Sequence, residues 1–291
     1  MLLRNFRKID AYSSVRLALL AVLSAVGVLF TANETLSYFL WFAAGYFTFG
    51  SLSWLLYSER WAFKGTQFRF VVFVLFVFPY VSEFTAYSLV VGGMLLETNW
   101  QFAENFRRRR NPIWVLHMGT LSALGWLLFP AGGYYIGVGS LIALLLLGGL
   151  NIRTLLQALV AFFIPVSVPL FLSSSADATY FSPPVLHQVP PEWWILPALV
   201  FLVTIHQFTV SYRKANNLNK LRSLIAFTWI VIGALLAQFI GGEGGFVLLI
   251  LGLSYQGANA LYYFRRRTLV EIIFAILLAF SLVYSFGLIE L

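Results

Sequence analysis

The side chains able to do chemistry in this sequence are few, and most fall within otherwise apolar stretches. Glu97, His117, Gln157, His206, Gln207, Gln256 and Asn259 each interrupt a long run of hydrocarbon residues. Two arginine runs, Arg107 through Arg110 and Arg265 through Arg267, stand close to them in the chain. Imidazole, carboxamide and guanidinium groups at the ends of apolar helices have the chemistry of a pocket for an anionic headgroup, such as a phospholipid or a polyprenyl phosphate. The residues named for that role are His117, His206, Gln207, Gln256, Asn259, Arg109 and Arg266. The simpler reading of the same residues is that the polar groups bond between helices and the arginines only fix topology.

Other chemistries are poorly served. The three histidines are divided, His187 falling in an outer loop and His117 and His206 near the inner side, so no shared metal site is expected. Bis-imidazole haem would need His117 and His206 on facing helices at one depth, and no cofactor is expected. Cysteine is absent, which removes thiolate ligands and nucleophiles. Glu34 and Glu83 are the candidate external carboxylates for a transferase that uses a lipid-linked donor. Gly241 to Gly245, with Glu243 at its centre, reads as a flexible turn, because a phosphate-cradling loop needs a following lysine.

The elements that position these groups follow from composition. The chain is 291 residues long, 60% hydrophobic and 10% charged, a balance that suits lipid as solvent rather than water. Apolar runs predict spans near 15–32, 36–57, 67–81, 83–99, 112–129, 134–150, 154–173, 193–212, 222–240, 244–263 and 268–288; most approach the roughly 20 residues that a crossing requires, while the pair at 67–81 and 83–99 has uncharged cores of only 13 residues each. The fold class expected is all-α, a polytopic transmembrane bundle of about eleven spans, or nine plus a re-entrant hairpin if 67–99 enters and turns back at Pro79 and Glu83. Residues 1–291 are expected to form a single transmembrane domain, with no separate soluble domain and with the first helix as an uncleaved anchor.

With the N-terminus in the cytoplasm and the C-terminus in the periplasm, all 19 Lys and Arg residues fall on the cytoplasmic side. They are Arg4, Arg7, Lys8 and Arg16; Arg60, Lys64 and Arg69; Arg107 to Arg110; Arg153; Arg213, Lys214, Lys220 and Arg222; and Arg265 to Arg267. The positive-inside rule accounts for the net charge of +8 without nucleic acid as a partner.

The stretch from Asn111 to Leu172 carries a Gly-containing helix with Gly119, the turn Phe129-Pro130, a Leu-rich helix from Leu141 to Leu147, the basic link at Arg153 and a helix with a late Pro165. Phe78-Pro79 and Ser211-Tyr212-Arg213-Lys214 echo these features elsewhere. In this pattern the chain resembles a family of uncharacterised polytopic inner-membrane proteins common in the Bacteroidota. The resemblance implies a helical bundle and a bacterial inner-membrane address, and it supplies no catalytic residues. The function expected is a non-enzymatic component of cell-envelope machinery, for glycan or for export, that binds membrane lipids or a membrane-protein partner. The alternative is a glycosyltransferase or flippase acting on a polyprenyl-linked sugar.

Overall fold

The computed structural model describes residues 15, 16, 19, 86–128, 133–172, 194–214, 217–239, 242–263 and 267–285. Among the described residues the fold is all-helical: eight long helices and no strand. They are α1 (Ala86–Arg109), α2 (Ile113–Leu128), α3 (Tyr134–Leu146), α4 (Ile152–Leu172), α5 (Ile195–Lys214), α6 (Asn217–Phe239), α7 (Gly242–Tyr263) and α8 (Arg267–Ser285). The expected spans at 36–57 and 67–81, nearly all of the span at 15–32, and the outer loop at 174–192 lie outside the described residues.

Local chemistry sets the helix ends. α1 carries Arg107, Arg108 and Arg109 in its last turn, where cations favour the negative end of the helix dipole. Arg110 then takes a left-handed φ of 53° and its N–H bonds the Phe106 carbonyl at 2.7 Å, closing the helix. The Asn111 side-chain oxygen accepts the Ile113 N–H at 3.1 Å, and Pro112 supplies the fixed φ that suits a helix start. α3 stops at Gly148, whose φ of 70° costs glycine little. α4 begins with a reciprocal cap: Asn151 Oδ1 accepts the Thr154 N–H at 2.8 Å and Thr154 Oγ1 accepts the Asn151 N–H at 2.9 Å, a capping box with threonine in place of the usual acid.

Three expectations are corrected here. α1 runs to Arg109 rather than ending near residue 99, because nothing between Gln101 and Arg109 breaks a helix, whereas Pro112 disfavours helix at Asn111. Gly242 to Gly245 open α7 instead of forming a turn. Gly245 is needed for packing, since a Cβ there would lie 2.2 Å from the Ala237 nitrogen. Arg222, expected at the start of the span at 222–240, sits in the second turn of α6, which begins at Asn217, and is 3% exposed.

The chain divides into two compact units, with α6 and α7 each passing from one to the other. One unit comprises 92–189 and 224–252. Its core holds Trp100 and Trp229 edge to face at 4.8 Å, with Tyr135, Phe246 and Leu96 also fully buried. The Trp229 indole N–H donates to the Gly139 carbonyl at 3.1 Å. α2 and α4 meet backbone to backbone at Gly119, where a Cβ would lie 2.4 Å from the Ala158 carbonyl oxygen; small residues permit that approach. The other unit comprises 1–91, 190–223 and 253–291. In it, Phe208 and Tyr212 stack at 5.5 Å, Lys220 lies over the Tyr212 ring at 5.9 Å, and Gln256 Nε2 donates to the Ser223 carbonyl at 2.8 Å.

Two helical stretches, Asn217–Phe239 and Gly244–Leu261, are long and apolar enough to cross a membrane. Exposed faces elsewhere are apolar as well. On α4, Ile152, Leu156, Val160, Phe163 and Ile164 all stand exposed, Ile152 at 80%. α5 presents Ile195, Leu199, Leu202 and Ile205, and α8 presents Leu269, Ile272 and Ile276.

Candidate functional site

The polar groups lie on the inside. Asn99, 0% exposed on α1, donates to the hydroxyls of Ser122 on α2 at 3.2 Å and Ser140 on α3 at 2.7 Å. Each hydroxyl passes its own proton to the carbonyl four residues back, Met118 and Ile136 respectively. A hydroxyl has one proton, so both serines can only accept from Asn99, which orients the amide nitrogen toward them. One carboxamide thus joins three helices. Asn99 Oδ1 has no donor among the described residues.

A second polar row follows the same helix. Glu97 and Glu104 are two turns apart on α1 and nearly fully buried, at 4% and 3% exposure. Arg108 reaches back to Glu104 at 3.4 Å. Continuation of α1 to Arg109 places Glu97 at mid-helix, in a helix that also carries Asn99, Gln101, Glu104 and Asn105.

His117 is exposed on α2, its ring 5.4 Å from Phe102 and 6.1 Å from Trp114. Arg109 is exposed at the end of α1. Gln256 and Asn259 are both buried on α7. Gln256 is committed to the Ser223 carbonyl, an interhelical bond, whereas Asn259 Nδ2 has no acceptor among the described residues. His117 and Arg109 belong to one compact unit and Gln256 and Asn259 to the other. His206 and Gln207 lie on α5 with side chains outside the description, and Glu34, Glu83 and Arg266 lie outside the described residues. No three metal-ligating side chains gather among the described residues.

Sequence reasoning passed over Asn99, Ser122 and Ser140. The available signal was register: Asn99 shares a helical face with Leu96, Trp100 and Ala103, which makes it a core position.

At one end of the first unit, the α1–α2 and α3–α4 turns touch. The Arg110 guanidinium lies 5.9 Å over the Phe106 ring and its Nη1 is 3.4 Å from the Gly148 carbonyl. A Cβ on Gly149 would lie 3.0 Å from that same Phe106 ring, so the two turns pack directly. Arg108, Arg109, Arg110 and Arg153 are all exposed there.

No family model, no curated protein and no solved structure matches this chain. The described residues are all helical, with exposed apolar faces on several helices and polar junctions buried between them.

Proposed function

We propose that this protein is a polytopic component of a bacterial inner membrane, crossing about eleven times, with its N-terminus cytoplasmic and its C-terminus periplasmic. In this reading it is non-enzymatic and binds lipids or a partner protein within cell-envelope machinery, for glycan or for export. The observation that carries the membrane placement is inverted polarity. α4, α5 and α8 turn Ile, Leu, Val and Phe outward while Asn99, Glu97, Glu104, Gln256 and Asn259 are buried. A water-facing helix keeps its charged residues on the exposed side instead. The experiment exploits the absence of cysteine. Single cysteines at Arg153 and Arg213 should resist a membrane-impermeant maleimide applied to whole cells, and one at Asp177 should react. Labelling of Arg153→Cys from outside would remove the topology, and release of the protein from membranes by alkaline carbonate would remove the membrane reading.

A second reading, a flippase or glycosyltransferase for a polyprenyl-linked sugar, draws support from the buried carboxylates. Glu97 and Glu104 have the setting expected of acids that move or hold charge within a membrane segment. Glu97→Gln tests this: unchanged envelope function in cells retires the reading.

A further inference from the structure

The geometry points to a single platform for anionic phospholipid headgroups built from the α1–α2 and α3–α4 turns, with Arg108, Arg109, Arg110 and Arg153 as its charges. It rests on the lipid-binding reading above and names the ligand class and the place. Three observations combine. The turns are in contact, Gly149 and Gly148 against Phe106 and Arg110, so arginines distant in sequence share one surface. Second, among the described residues Arg109, Arg110 and Arg153 have no ion pair with an acid, and only Arg108 lies near one, 3.4 Å from Glu104.

Third, the apolar exposed faces start immediately beside the guanidiniums. Ile113 and Leu116 on α2, and Ile152 and Leu156 on α4, are all exposed. In a bilayer those residues mark where hydrocarbon begins, and the guanidiniums then stand at the depth of the phosphates, which they can grip bidentately. A soluble anion would have no use for the apolar margin, so the occupant is a lipid surface. The platform differs from an interior pocket, because its cations are open to the outside.

The test uses the full-length protein in mixed micelles holding equal phosphatidylglycerol and phosphatidylcholine, with retained lipid counted by native mass spectrometry. The wild type is expected to retain phosphatidylglycerol preferentially. Each arginine near an anionic surface is worth roughly five-fold, so Arg109→Gln with Arg153→Gln should cut the phosphatidylglycerol to phosphatidylcholine ratio at least ten-fold. Arg109→Lys with Arg153→Lys keeps both charges and should lose only about two- to three-fold, the bidentate share. Both sites are exposed, and the lysine pair serves if the glutamine pair fails to fold. A wild-type preference that survives in both pairs overturns the platform and leaves lipid binding elsewhere intact. A wild type with no preference overturns the lipid-binding reading with it. Complete displacement of phosphatidylglycerol by millimolar inorganic phosphate would show a soluble-anion site and also overturn the platform.

Discussion

The amide nitrogen of Asn99 sits 2.7 Å from the hydroxyl oxygen of Ser140, and because that hydroxyl already donates to the Ile136 carbonyl, the bond runs in one direction only. Asn99→Ala should therefore destabilise the protein by about 1–2 kcal/mol, the range for an interhelical hydrogen bond in an apolar setting. Equilibrium unfolding in detergent would measure it. The double variant with Ser140→Ala should fall short of additivity by about 0.6 kcal/mol; strict additivity would mean the bond carries no energy.

Two glycines one turn region apart should behave oppositely. Gly119→Leu drives a side chain into the Ala158 backbone and should cost at least about 2–3 kcal/mol, as overpacking does. Gly137→Ala meets nothing within 4 Å and should stabilise α3 by about 0.5–1 kcal/mol through helix propensity. Thermal melts of the purified variants would separate them, and equal losses at both positions would contradict the packing described.

The indole of Trp229 bonds the Gly139 carbonyl and lies edge to face with Trp100. Trp229→Phe keeps an aromatic ring but loses the donor, leaving the Gly139 carbonyl with only its bond inside α3. A loss of about 0.5–1.5 kcal/mol is expected, read as a lowered midpoint in the same unfolding assay. No shift would mean that the carbonyl finds another donor.

Charge placed on α4 should report on its solvent. Ile164→Arg sets a guanidinium on a face where Ile164 is 62% exposed. In water the change would be neutral, whereas at mid-bilayer it costs about 2.5–3.5 kcal/mol in insertion. Yield of membrane-integrated protein should fall sharply for Ile164→Arg and remain near wild type for Arg153→Lys. Normal integration of both would argue against lipid contact at this face.

Helix positions were far more legible in the sequence than helix faces. Uncharged runs locate α2, α4, α5 and α7 within a few residues, because a single arginine, a proline or a glycine pair ends each run. The span expected at 83–99 ends well before α1 does, because the helix stops only where Asn111-Pro112 forces it. Which residue faces inward was harder, for a physical reason. When an outer face and a core face are both hydrocarbon, the 3.6-residue periodicity that normally separates them fades. His117, expected near the cytoplasmic side, is exposed on α2, while Asn99, three residues past the buried Leu96, carries the junction. Gln256 stands out in the sequence as a polar residue in an apolar helix, and its amide serves the Ser223 carbonyl, a bond between helices.

The reversal between α1 and α2 is only Arg110, Asn111 and Pro112 long, and it has a bearing on biogenesis. A tether that short gives the second helix no separate waiting place while the first is being installed, so in a membrane the two must be handed over as one folded hairpin. Lengthening it with a flexible insert would turn a joint step into two sequential ones, each exposed to its own errors.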